Sequence, residues 1–161
     1  MAEVCVVNAS PLIFLSRAGH LPLLRSVAAH VWVPHAVAEE LRVRGADDVT
    51  ASQLASYSWL AIREATDIAP TIMQWGLGPG ESAVLTDSLG LPGSRAVIDD
   101  LAGRKCAASL GIPVIGTLGI VLRARRQGII PAARPVVEDL LRGGMFLSRP
   151  LLDRALALVG E

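Results

Sequence analysis

Apolar residues fall in short unbroken blocks, and helix-patterned stretches separate them. Val4 to Val7 is one such block, ending at Asn8, and predicts a strand buried on both faces, as in a parallel sheet. Ser10-Pro11 then opens a helix, with Ser10 the expected N-cap; Leu12, Ile13 and Leu15 give it an apolar side, and Gly19 ends it. Leu21 to Ala28 predicts a second short helix, and His30 to Val33 a second strand. Pro34 opens a helix over His35 to Val43, in which Glu40 sits beside the Val37–Leu41 stripe while Glu39 lies to the side of it. Asp47 to Ser56 reads as a polar helix and Trp59 to Arg63 as a third strand; Thr66 to Trp75 leaves a short helix open.

The second half is more sharply patterned. A glycine-rich loop, Gly76 to Gly80, leads into a helix from Glu81 to about Leu89. Glu81, Val84 and Leu85 share one face, so a carboxylate sits on the apolar side of the first turn. Such a group is costly unless paired, hydrated or bound to a metal. Ala96 to Ile98 is a strand block stopped by Asp99 and Asp100. Leu101 to Leu110 is helical, Gly111 breaks it, and Ile112 to Ile115 forms the next strand. This is a strand–helix–strand unit, and in open parallel sheets chemistry sits beyond the carboxyl ends of the strands. Thr117 is the expected cap of a helix to about Gln127, and the tail from about residue 135 reads as two amphipathic helices broken by Gly143-Gly144 and Pro150. The expected architecture is a three-layer α/β/α sandwich with a central parallel sheet of about five strands, one domain over residues 1–161, and a helical C-terminal extension that packs on the domain or on a dimer partner.

Composition narrows the function classes. Hydrophobic residues make up 52% of 161, enough for a real core and against disorder. Aromatics, at 4%, argue against a base-stacking surface. The formal net charge is zero, so any nucleic-acid contact must be local. Cys5 and Cys106 have no CxxC spacing, which argues against zinc and suits a reducing cytoplasm. No apolar run approaches the ~18 residues of a membrane span, and the N-terminus lacks signal-peptide character. GLGPGES lacks the lysine of a phosphate loop, no GxGxxG follows the first strand, and Gly116-Thr117 stands where a receiver domain would place a lysine. The three histidines show no ligand spacing.

A parallel sheet would bring Glu40, Glu81, Asp99 and Asp100 together, with Asn8 at the tip of the first strand. Clustered carboxylates repel unless a cation is present, and an all-oxygen set suits magnesium or manganese. Such an ion activates water and stabilises charge on phosphoryl oxygen, which is the chemistry of phosphodiester hydrolysis. Each residue also has a plainer reading. Asp99 or Asp100 could cap a helix, Glu81 could favour a helix N-terminus, Glu40 could be a solvated rim residue, and Asn8 a turn residue. Arg104, one turn after Asp100, is the preferred phosphate contact among the basic residues.

VVNASPLIFL, VPHAVAEEL, GPGESAVL and AVIDDLAGRKCAASLGIPVIGTLGIVLRARRQGII resemble, in that order, the segments of the PIN-domain family, and specifically its VapC-like toxin ribonucleases. The resemblance spans nearly the whole chain and is vaguest over Asp47 to Met73. It implies an Mg2+- or Mn2+-dependent endoribonuclease, the cytoplasmic toxin of a toxin–antitoxin pair, often a homodimer. By position it makes Asn8, Glu40, Glu81 and Asp100 the acidic quartet, with Asp99 adjoining. Asn8, Glu81, Asp99 and Asp100 become the expected metal ligands; Ser10 would position Asn8 or a metal-bound water, and Ser10 and Thr117, caps first, join Arg104 as the expected substrate contacts. Asn8 stands where many active members have Asp: an amide coordinates through oxygen but brings no charge. The alternative is therefore a catalytically weak module that binds RNA or protein.

Overall fold

The computed structural model describes residues 1–45 and 47–161. Five parallel strands form one sheet in the order β3-β2-β1-β4-β5: β1 Ala2–Val7, β2 Ala28–Pro34, β3 Leu60–Arg63, β4 Arg95–Val97 and β5 Val114–Ile115. Val6 pairs with Trp32 on one side and Ala96 on the other, so β1 is central and the chain reverses its direction of travel between β1 and β4. That switch leaves a crevice at the carboxyl ends of these two strands.

Helices cover both faces in a three-layer α/β/α arrangement. They are α1 Ala9–Arg17, α2 His35–Val43, α3 Val49–Leu54, α4 Pro70–Met73, α5 Pro79–Leu89, α6 Leu101–Ser109, α7 Thr117–Arg126, α8 Arg134–Arg142 and α9 Arg149–Ala157. α5 packs on β1, β2 and β4, with α2, α4 and α6 against it; α1 packs with α3, α7 and α8. Cys5, Val6 and Val7 are wholly buried, as a strand covered on both faces must be. Val136, Val137, Leu140, Ala155 and Leu156 bring α8 and α9 into the same core.

The elements depart from the sequence reading mainly at their ends. Leu21–Ser26 is a 3-10 helix, not an α-helix to Ala28. The Ser26 hydroxyl donates to the Leu23 carbonyl at 2.7 Å, tightening the turn, and Ala28 already belongs to β2. The polar helix shrinks to α3 because Asp48 caps it, accepting from the Thr50 N–H at 2.9 Å. β5 starts only after Pro113, which has no N–H; its carbonyl still accepts from Ala96 N–H at 2.9 Å. Pro150 does not break the tail but sits in the first turn of α9, where a missing N–H costs nothing, and Ser148 caps it.

Two expected caps move. Asn8, not Ser10, is the N-cap residue of α1, and Gly116, not Thr117, is that of α7. Neither supplies a side-chain cap: Gly116 has no side chain, and the Asn8 side chain caps nothing. Both departures lie at the crevice.

Candidate functional site

Three of the helices that begin at the crevice, α5, α6 and α7, have a carboxylate bonded at the N-terminus. α5 starts at Pro79, two residues earlier than the pattern predicts, so Glu81 falls on its third residue. There its Oε2 reaches back to accept from the Gly78 N–H at 3.0 Å. Asp100 is the N-cap of α6, and its Oδ2 accepts from the Gly103 N–H at 2.8 Å. Asp99 supplies the cap that Gly116 cannot. It accepts from the Thr117 N–H at 2.7 Å and from the Thr117 hydroxyl at 2.6 Å, and Thr117 is fully buried. A carboxylate at a helix N-terminus gains about 0.3–1 kcal/mol from the exposed N–H groups. The three helix ends thus offset part of the repulsion of gathering anions here.

Asn8 and Glu40 have no such employment. Asn8 follows β1 directly, and its N–H donates to Val97 of β4 at 3.0 Å, which fixes it over the switch point. It is only 4% exposed, yet its amide caps nothing. Glu40 is exposed at the rim of α2, beside Glu39, which pairs with Arg42. The Glu40 Oε2 instead meets Asn8 across the first turn of α5. The point a Cβ on Gly80 would take lies 3.0 Å from Glu40 Oε2 and 3.2 Å from Asn8 Oδ1. A second glycine does the same for the other pair. A Cβ on Gly103 would lie 3.6 Å from Asp100 Oδ2 and 3.8 Å from Glu81 Cγ. Because Gly80 and Glu81 are adjacent, one helix turn links the two pairs.

Asp99 stands apart from this quartet. Both its oxygens serve Thr117, and a third glycine, Gly116, leaves room for it and for Arg104. A Cβ there would sit 2.9 Å from Asp99 Oδ1 and 2.7 Å from Arg104 Nη1. Arg104 also donates to the Ile98 carbonyl at 3.4 Å, at the border between the crevice and an apolar groove. Ser10 lies exposed on the second residue of α1, and the structure gives its hydroxyl no partner. The sequence reading overlooked the three glycines. A signal was present for two: Gly80 and Gly103 lie within the first turn of helices that open beside an acidic residue, whereas Gly116 has no acidic neighbour in the sequence.

The donor set is all oxygen, which fits a hard divalent cation. The glycine cradle between Asn8 and Glu40, with a buried amide oxygen turned into it, fits the same group. Glu81 and Asp100 each keep one carboxylate oxygen outside their capping bonds. Among the described residues, no three His, Cys, Asp or Glu side chains stand together as they would around an ion.

No helix among the described residues is long and apolar enough to cross a membrane. No curated protein matches the sequence. Among solved structures, the chain is similar to a PilT N-terminus domain protein from the hyperthermophilic archaeon Sulfolobus solfataricus P2. The two share 13% identity and a TM-score of 0.49, over 91% of this chain and 98% of that one. Residues 4–161 match the family DUF3368, described as a PIN domain. With nearly its whole length matched, the chain belongs to the PIN-domain family, a family of nuclease fold.

Proposed function

We propose that the protein is a metal-dependent endoribonuclease, the toxin of a toxin–antitoxin pair acting in the cytoplasm. The observation that carries this reading is the buried Asn8 amide facing Glu40 across Gly80, beside the Glu81–Asp100 pair. A buried amide without a capping role and a carboxylate turned toward it make a poor structural device and a reasonable ligand set. Asn8, Glu81 and Asp100 would hold Mg2+ or Mn2+, with Glu40 beside them. When bound, the ion supplies charge stabilisation at phosphoryl oxygen and lowers the pKa of water.

The chain's own residues do the rest. Glu40 Oε2 takes the proton of the attacking water, whose oxygen forms a bond to phosphorus as the P–O3′ bond breaks. The leaving O3′ takes a proton from solvent, giving a 5′-phosphate and a 3′-hydroxyl. Asp99 acts at one remove, by holding the start of α7 through Thr117. Arg104, at the lip of the crevice, meets a substrate phosphate. On the same reading, a small antitoxin covers the crevice with an arginine reaching toward the carboxylates. The free, buried Cys5 and Cys106 fit a reducing compartment; burial pushes the Cys5 thiol up to about 12.

One observation favours a second reading. Asn8 contributes no charge, so the same crevice could bind RNA or a protein while cleaving poorly. Incubating the pure protein with single-stranded and structured RNA decides between them, with Mg2+, Mn2+ or chelator present. Cleavage that needs the ion and disappears in Asp100→Asn supports the enzyme. Retention of uncut RNA by the wild type supports the binding module.

A further inference from the structure

The crevice continues past Glu40 and Glu81 toward the other edge of the sheet. A hollow bordered by Glu40 and the first turn of α5 shares Ala36 and Pro79 with a second, of about 230 Å³. The second shares the segment 64–66 with a third, of about 760 Å³, beside the edge strand β3. All three follow one face of α5, because Pro79, Ala83, Thr86 and Gly90 recur at spacings of four, three and four. The far hollow combines a stacking plane with a hydrogen-bonding edge. Arg63, exposed at the end of β3, lies over the Trp32 ring with its Cζ 4.1 Å from the centroid. Asp87 on α5 is half-buried; its Oδ1 accepts from the Thr66 hydroxyl at 2.9 Å, and its Oδ2 has no partner among the described residues. Burial pushes this carboxyl above the usual range, against the pull of Thr66 and Arg63, so its spare oxygen is short of a donor.

We propose, resting on the ribonuclease reading above, that the far hollow is a base-binding subsite for the RNA and selects guanine. Unpaired RNA bases are held by stacking on aromatic rings or guanidinium planes and by hydrogen bonds to their edges. The Arg63–Trp32 pair supplies the plane, and Asp87 meets the edge. Charge decides that a base enters and not the backbone. Glu64 and Asp87 both line the hollow, and its cation, Arg63, already lies on Trp32, so a phosphate is repelled. Donor count then decides which base. An ionised carboxylate only accepts, and Asp87 has Oδ2 and a second lone pair on Oδ1 to offer. Guanine presents two N–H donors side by side, on N1 and on its exocyclic amino group. Adenine and cytosine set their amino group beside a ring nitrogen that accepts, and the N3–H of uracil lies between two carbonyls. Asp87 comes six residues after Glu81, about 9 Å along the helix axis, so the selected guanine belongs to a nucleotide close to the scissile phosphate.

Titration calorimetry of the full chain in chelator tests it, with the 5′-monophosphates of guanosine, adenosine, cytidine, uridine and inosine as probes. All carry the same phosphate, so differences report the base. The guanosine nucleotide should bind about tenfold or more tighter than the rest, including the inosine nucleotide, which keeps N1–H but lacks the amino group. Asp87→Asn keeps an oxygen for the Thr66 hydroxyl but sets an N–H against guanine, and should erase the preference with an unchanged circular dichroism spectrum. Arg63→Ala, at an exposed strand end, should weaken all the nucleotides alike. Neither metal nor cleavage enters these titrations, so the two readings fail separately. Guanine-selective binding by a protein that cuts no RNA supports the hollow and overturns the ribonuclease. Equal or absent binding of the nucleotides, or a guanine preference that survives Asp87→Asn, overturns the subsite. So does Asp87-dependent binding of spermidine in place of the guanosine nucleotide, which would make the hollow a cation site.

Discussion

The crevice at β1 and β4 and the groove beside β5 lie on either side of Asp99 and Arg104, yet they are built on opposite plans. The crevice is made of polar side chains that local structure already employs: Glu81 and Asp100 each give one oxygen to a helix end, Asp99 both. Glycines at Gly80, Gly103 and Gly116 keep it open. The groove is made of leucines and a phenylalanine that nothing in the chain covers. In the crevice, substitutions should change chemistry with little effect on the fold, apart from Asp99; replacing the exposed leucines of the groove should leave that chemistry unchanged.

The largest effect is expected at Asp100. Asp100→Asn keeps an oxygen for the Gly103 N–H but removes the charge. Metal-dependent RNA cleavage should fall about a hundredfold or more, since even residues supporting a ligand are worth 10–100-fold. Retained cleavage would dissolve the distinction between the two regions. Next comes Asp99, where stability and chemistry part company. Asp99→Ala strands the buried N–H and hydroxyl of Thr117, at a cost of about 1–3 kcal/mol. For a chain of this size, calorimetry should show Tm lower by about 2–4 °C per kcal/mol lost. If Asp99 also bound metal directly, Mn2+ affinity would drop together with Tm.

Smaller effects sharpen the account of the cradle. Gly80→Ala puts a methyl group 3.0 Å from Glu40 Oε2, a flexible side-chain end that can swing away. The protein should fold normally, and titration calorimetry should show weaker Mn2+ binding. Asn8→Asp should strengthen it by adding a charge to the same oxygen position; unchanged affinity would remove Asn8 from the ligand set.

The smallest expected effect lies at Glu161. Glu161 holds the start of α8, accepting from the N–H groups of Ala133 at 2.7 Å and Arg134 at 3.0 Å. These bonds, with Arg125 and Arg134 nearby, hold its carboxyl below the usual range. A carboxyl lowered in the folded state stabilises above its unfolded pKa, about 4.3, and loses that contribution as pH falls through its folded value. Glu161→Ala should therefore lower Tm at neutral pH, and the gap from the wild type should close in acid.

Most of the fold was legible in the sequence because strands buried on both faces leave continuous apolar runs. Val4 to Val7 and Ala96 to Ile98 could hardly be read otherwise, and the carboxylates following the latter place the crevice. Boundaries were less legible where a single bond decides them, as at Ser26, Asp48 and Pro113. The site was legible as a set of residue types but not as a division of labour. Nothing in DDLAG tells which aspartate serves its own helix and which reaches across to Thr117, because that depends on the start of α7, 18 residues away. The glycines went unread because their meaning lies in the space they leave. The groove was legible only in part. Leu151, Leu152, Ala155 and Leu156 read as an amphipathic face, but the outward stripe is Leu151, Arg154 and Leu158.

Crystals grown with Mn2+ and measured for anomalous scattering show whether the crevice holds the ion. The expected result is a Mn2+ peak in the crevice, bound to Asn8 Oδ1 and to carboxylate oxygens of Glu81 and Asp100. Crystals in which the crevice holds no Mn2+ at saturating concentration, or holds it without Asn8, would contradict it.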